Sequence, residues 1–158
     1  MKKVFLPILL ISLIITSICF SCAKNPINGD LDGQWQLMEI SMKKAPSSPN
    51  YDSIISRKES QIFWSFQLDL MMIRTIGQIL NGHTEMTMAK FNHHYNQLDI
   101  TSTYIHYRER DSLIDDPTTT ILEPMGISGN AEKFSIQTLN RKRMVLTTPT
   151  KRLTFRKY

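Results

Sequence analysis

Beyond position 22 this chain contains no cysteine. Its two cysteines, Cys19 and Cys22, stand together where an apolar N-terminal run ends. The domain that follows has no disulfide, and a CxxC redox or zinc site would have both sulfurs at the edge of that run. Other devices are missing as well. Four histidines are present, His83, His93, His94 and His106, but no HExxH spacing joins them, and adjacent His93 and His94 read as a solvated hairpin tip. Glu109, Asp111, Asp115, Asp116 and Glu123 lack the alternating oxygens of a calcium loop, and Pro117 stiffens the run. No GxSxG elbow positions a nucleophile. No repeat or low-complexity tract stands out. The expectation is a protein with no catalytic residue, metal or cofactor, and so not an enzyme.

What is there begins with an export signal. Lys2 and Lys3 precede Val4–Ile18, 15 residues without a charge, which is an h-region length and short of the ~20 residues a bilayer span needs. In "SICFSCAKNP" the small Ser21 stands directly before Cys22. This resembles a lipobox, the signal of bacterial lipoproteins, although the third residue before the cut is Cys19 where that family has leucine. The resemblance implies removal of residues 1–21 and acylation of Cys22. The protein would then be held at the bacterial outer membrane by its lipid, facing the periplasm, since Ala23, Lys24 and Asn25 lack an acidic run. An uncleaved membrane helix from Val4 to about Cys22 is the alternative. Two or more acyl chains anchor stably where one does not, each buried CH₂ contributing about 0.8 kcal/mol.

Residues 22–31 read as a tether with Asn25-Pro26 and Asn28-Gly29 turn chemistry, and residues 32–158 are long enough for one domain with its own core. The periodicity there is two. Ile62, Trp64, Phe66, Leu68, Leu70 and Met72 fall on one face of a single long strand. Met86 and Met88, Leu98 and Ile100, Phe134 and Ile136, Met144 and Leu146, and Leu153 and Phe155 continue the pattern. Residues 91–97, "FNHHYNQ", read as a loop. Residues 41–59 and 105–130 read as long loops, with Thr120–Met125 locally ordered and Leu122 and Met125 packed inward. The fold class is all-β, with about eight antiparallel strands closing into a barrel that removes exposed edges; a sandwich is the alternative.

Gly33-Gln34-Trp35 opens the first strand. Glycine, any residue, tryptophan at that place resembles the opening motif of the lipocalins and their calycin relatives. "LEPMGI", "FSIQTLNRKRMVL" and "LTFRKY" extend the likeness to small lipocalin-like lipoproteins of unassigned function from Bacteroidota. The resemblance implies a lipocalin-like β-barrel on a lipid tether, with Gly33 and Trp35 at its closed base and Arg156 packed over the Trp35 ring. A guanidinium over an indole contributes about 0.5–2 kcal/mol. The apolar wall for a small apolar or amphipathic ligand would be Trp64, Phe66, Leu68, Met86 and Met88, with Met38, Met72 and Met144 as adaptable neighbours. The alternative is that these side chains fill the core outright.

Charge divides the chain. Residues 133–158 hold eight basic residues and no acid, whereas residues 22–132 hold nine basic and fourteen acidic. Such asymmetry could orient a barrel toward anionic headgroups or an acidic partner, or the tips Arg141–Arg143 and Lys151-Arg152 are simply solvated. The alternative to ligand binding is a non-enzymatic interaction module with a filled core that contacts an envelope protein or glycan. Nucleic acid is not an expected partner outside the cytoplasm.

Overall fold

The computed structural model describes residues 26–76, 86–107 and 109–158. Cys19, Cys22, the signal 1–21, the first part of the tether and His83 lie outside the described residues. Ten strands form: β1 (Gly33–Met42), β2 (Ser53–Ser56), β3 (Ile62–Gln67), β4 (Leu70–Thr75), β5 (Met86–His94), β6 (Gln97–His106), β7 (Asp111–Ile114), β8 (Glu132–Leu139), β9 (Arg143–Thr147) and β10 (Lys151–Lys157). All pairings are antiparallel, and β1, β3, β4, β5, β6, β8, β9 and β10 close into a ring through the β10–β1 pairing. The expected all-β, antiparallel barrel is the fold observed.

The remaining two strands explain its asymmetry. The first half of β1, Gly33–Gln36, pairs with β3, and its second half, Glu39–Met42, pairs with β2. In the same way β6 pairs with β8 through Gln97–Ile100 and with β7 through Thr103–His106. One end, the base, carries the tight turns 68–69, 95–96 and 140–142 together with both described termini. The other end, the mouth, carries the long connections. Three strands carry a bulge: Met38 in β1, Thr101 in β6 and Gln137 in β8 each lack a cross-strand partner. Such extra residues bend a strand and add twist, which helps a sheet close on itself.

The long strand expected over 62–72 is instead a hairpin. A two-residue turn, Leu68-Asp69, separates β3 from β4, with Leu68 at φ 59. Each residue added to a strand flips the face, so the turn reverses which positions point inward. Inward residues are Ile62, Trp64 and Phe66 on β3, but Met71, Ile73 and Thr75 on β4. Leu68 is therefore solvent-exposed at a turn, and Leu70 and Met72 lie on the outer face, so none of the three lines the interior.

The same register corrects β5. Met71 faces Ala89 and Ile73 faces Thr87, which are the buried positions, while Met88 pairs with the outward Met72 and Met86 with Arg74. Met86 and Met88 are half-buried on the outer wall and are not part of an inner ligand wall. The small Thr87 and Ala89 take the inward positions of β5. The loop expected at 91–97 shrinks to Tyr95-Asn96, and His93 and His94 belong to β5, pointing to opposite faces.

Candidate functional site

The base is closed by a side chain other than the one expected. Trp35 is fully buried, and its Nε1 donates to the Leu31 carbonyl at 2.7 Å, tying β1 to the 3₁₀ turn Gly29–Leu31 that crosses beneath it. Trp35 pairs with Lys157, whereas Arg156 pairs with Gln36 on the outer face and donates to Gln36 Oε1 at 2.8 Å. It is Lys157 Nζ that stands over the indole, 4.3 Å from the ring centroid, donating to the carbonyls of Asp30 (2.8 Å) and Asp32. Gly33 has φ 109, a backbone conformation that favours glycine, and a Cβ there would come within 3.3 Å of Lys157 Cε and Nζ, pushing the lysine by a few tenths of an ångström. Gly33 and Trp35 lie at the base, and Arg156 points to the outer face rather than over the Trp35 ring.

Above the base the interior is solid. Trp64 is fully buried and packs against Phe155, Phe134 and Phe66 with ring centroids 4.9, 6.1 and 6.3 Å away, and Phe66 meets Phe91 edge-on at 5.2 Å. These tilted and edge-to-face arrangements are the favoured ones for aromatic rings. The indole Nε1 of Trp64 donates to the Met125 carbonyl at 3.1 Å. Trp64 and Phe66 thus stand where a ligand in the barrel axis would have to sit; they are core rather than wall.

Met125 belongs to a segment, residues 115–131, that folds back into the barrel from the mouth side. Leu122, Met125 and Ile127 are buried, as the sequence pattern predicts for the first two. Gly126, at φ 99, ends the 3₁₀ turn Glu123–Met125, and Gly129, at φ 70, passes so close to Pro117 that a Cβ would lie 2.3 Å from its carbonyl oxygen. Asn130 Nδ2 donates to the Ile114 carbonyl and Thr103 Oγ1 to the Asn130 carbonyl, which pins the segment to β6 and β7.

Between this plug and the wall made by β1, β2 and β10 lies a cleft of about 340 Å³, lined by Ile40, Met42, Ile55, Arg57, Thr120, Glu123, Pro124, Ser128 and Lys151. This is within the ~300–1,000 Å³ of small-molecule sites. Ile40 faces Leu153 and Ile55, and Met42 faces Lys151, so one wall is made by inward positions of the barrel.

The polar groups of the cleft are of two kinds. Lys151 is satisfied: its ammonium donates to Glu132 Oε2 at 2.8 Å and Ser128 Oγ at 2.9 Å and lies 5.6 Å from the centre of the Phe134 ring. Burial pushes its pKa below 10.5, while the attraction and hydrogen bond of Glu132 and the nearby charge of Glu123 pull the other way. It is not the solvated hairpin residue that its neighbourhood in the sequence implied. Arg57 is unsatisfied. Its backbone N–H donates to the carbonyl of the bulged Met38, but its half-buried side chain has no ion pair or hydrogen bond among the described residues, and its Nε is shut off from solvent.

The acidic residues do not converge. Asp111 pairs with His106 at 2.7 Å, and Asp116 is an exposed turn residue held below its usual pKa by hydrogen bonds from the hydroxyl and backbone of Thr118. Arg57, Glu132, Lys151 and Lys157 escaped sequence reasoning. For the two lysines a signal existed: Leu153 and Phe155 mark the inward parity of β10, and Lys151 and Lys157 share it. Arg57 had none, because its place depends on the bulge across from it.

The comparisons agree with this architecture. The sequence matches the lipocalin-like domain family over residues 14–158. The fold is similar to that of a lipocalin-like protein from Bacteroides uniformis, at 15% identity and a TM-score of 0.56, covering 82% of this chain and all of that one. It also resembles an uncharacterized protein from Bacteroides eggerthii, at 18% identity and a TM-score of 0.49, over 81% of this chain and 99% of that one. No functionally curated protein matches. With the match running through nearly the whole barrel, the chain belongs to the lipocalin-like family.

Proposed function

We propose that this protein is a non-enzymatic, lipid-anchored lipoprotein of the bacterial outer membrane, facing the periplasm, that binds a small amphipathic molecule with an acidic group in its mouth cleft. The lipocalin-like fold suggests ligand binding in general. The observation that carries the specific reading is Arg57, an unpaired guanidinium in a cleft whose apolar wall is Ile40, Met42, Ile55 and Pro124 and whose polar lining is Thr120, Glu123, Ser128 and the already paired Lys151. A guanidinium short of partners favours a carboxylate or phosphate, and the apolar wall favours an alkyl or ring body beside it. The anchor rests on Ser21-Cys22 and the run before it.

Calorimetric titration with decanoate and with decanol tests this. The acid is expected to bind more tightly than the alcohol, and Arg57→Met is expected to remove most of that preference. A charge-assisted hydrogen bond contributes about 1.5–3 kcal/mol, roughly ten- to a hundredfold in affinity. Equal binding of acid and alcohol to the unsubstituted protein would refute the role of Arg57. Mass spectrometry of the mature N-terminus checks the anchor separately, since an intact Met1 or unmodified Cys22 contradicts it.

A second reading is favoured by the filled core around Trp64: an interaction module that displays its surface to an envelope protein or glycan. Its mark would be partner capture from the envelope that survives Arg57→Met unchanged.

A further inference from the structure

We propose that the base of the barrel is a docking face for an anionic lipid bilayer, so that the ligand cleft opens on the side away from the membrane. The inference rests on the reading of Cys22 as the anchor. Cys22 precedes Pro26, the first described residue, by four positions, which at ~3.3–3.6 Å per residue is a reach of about 14 Å. Pro26 leads straight into the 3₁₀ turn under Trp35, and Asn28 Nδ2 donates to the Leu68 carbonyl in the β3–β4 turn. The tether therefore leaves from the base. Ten-residue strands tilted by ~35–45° stand about 23 Å tall, which puts the mouth farther from the anchor than the tether is long.

The chemistry of that end fits headgroups. Two of its turns carry apolar or aromatic residues where the chain gains nothing from them. Leu68 at φ 59 is 56% exposed and Tyr95 at φ 48 is 99% exposed. Left-handed backbone favours glycine or asparagine, so a leucine and a tyrosine there cost the fold, and more than half of the leucine and nearly all of the tyrosine stay in contact with solvent. Ile27 and Tyr158, both exposed, share the same end. The third turn is cationic: Arg141, Lys142 and Arg143 are exposed, and Arg143 stands directly opposite Arg156 across β9 and β10. Like charges facing each other across strands repel, and an anion between them relieves this. The described acids near this end are Asp30, Asp32, Asp69 and Asp99, the last accepting from Gln97 and lying 3.9 Å from Lys133. Asp30 lies 4.0 Å from Arg141, and Asp32 accepts from Asn28, leaving Asp69 exposed. Amphipathic aromatics beside basic residues are the composition of an interfacial anchor.

The test uses the full chain, made with its signal in a lipoprotein-processing bacterium and reconstituted in vesicles of phosphatidylcholine with brominated acyl chains, with or without phosphatidylglycerol. Trp35 and Trp64 are fully buried and serve as a constant background. A reporter tryptophan is introduced as Leu68→Trp or Tyr95→Trp at the base, or as Leu113→Trp, exposed near the mouth. Both base reporters are expected to be quenched in the phosphatidylglycerol vesicles, and the mouth reporter not. High salt, or joint reversal of Arg141, Lys142 and Arg143 to glutamate, is expected to weaken docking at least about tenfold. Acylated protein whose base reporters escape quenching overturns the docking face and leaves the anchor standing. If Cys22 proves unmodified, the anchor falls, and the same reporters decide docking through binding of the unacylated chain: quenching with phosphatidylglycerol supports the face, and none overturns it.

Discussion

Strand β1 crosses two regions built on opposite rules. From Gly33 to Leu37 its inward side chains meet rings and aliphatics with no polar group left open, the one indole N–H there being tied to Leu31. From Ile40 to Met42 the same strand borders a cleft that contains a buried ion pair and a guanidinium without a partner. The base half is closed through Trp35, Trp64, Phe134 and Phe155. The mouth half is partitioned by β2, β7 and the plug, and keeps its space. Close packing stabilises a barrel but leaves nothing to recognise, so the two tasks are separated along the strand axis. The aromatic filling lets the mouth carry costly polar groups without the fold failing.

The largest effect that would break this comparison belongs to the core. Trp64→Ala removes the shared partner of three rings, Phe66, Phe134 and Phe155, and the hydrogen bond to Met125, and is expected to cost about 3–5 kcal/mol, read from urea unfolding. A loss under about 1 kcal/mol would mean the interior is looser than its packing implies.

Next in size is the buried pair at the mouth. Glu132→Gln leaves the Lys151 ammonium, itself only 7% exposed in its side chain, without its counter-charge. Removal of one partner costs about 3–5 kcal/mol, and the lower figure is expected because Ser128 Oγ still accepts. The pH dependence follows from the depressed pKa of Lys151. Between that folded value and 10.5 the unfolded chain holds more protons than the folded one, so stability from this group rises with pH through the window. Without Glu132 the folded pKa drops further and the window opens at lower pH. The stability gap between the two proteins should therefore shrink from neutral pH toward 10.5. A gap that stays constant would show that Lys151 is not held by Glu132.

How far the amino-acid order discloses this architecture depends on what each region needs. Strand alternation in Phe134 and Ile136, Met144 and Leu146, and Leu153 and Phe155 has one physical cause, a single buried face, and it reads correctly. Leu68, Met86 and Met88 are apolar without pointing inward: a two-residue turn inverts the parity after Phe66, and Ala89 and Thr87 hold the inward positions opposite Met71 and Ile73. The cleft was legible only as two long loops flanking a barrel. Its polar residues are set by the β1 bulge at Met38 and by the glycine-dependent path of residues 115–131, both non-local.

The smallest effect sharpens the comparison where sequence resemblance and geometry part company, at the base. Lys157→Met removes the ammonium from the Trp35 face and from the carbonyls of Asp30 and Asp32. A cation over tryptophan contributes ~0.5–2 kcal/mol, and charge-assisted hydrogen bonds add to it, so a loss of about 2 kcal/mol is expected. Arg156→Met removes one part-buried hydrogen bond to Gln36 and should cost about 1 kcal/mol. The two variants differ by one position on one strand, which makes the pair a direct reading of which face is inside. If Arg156→Met proved the more damaging, β10 would be facing the other way at its end, and Lys157 could not be the cation that seals the barrel.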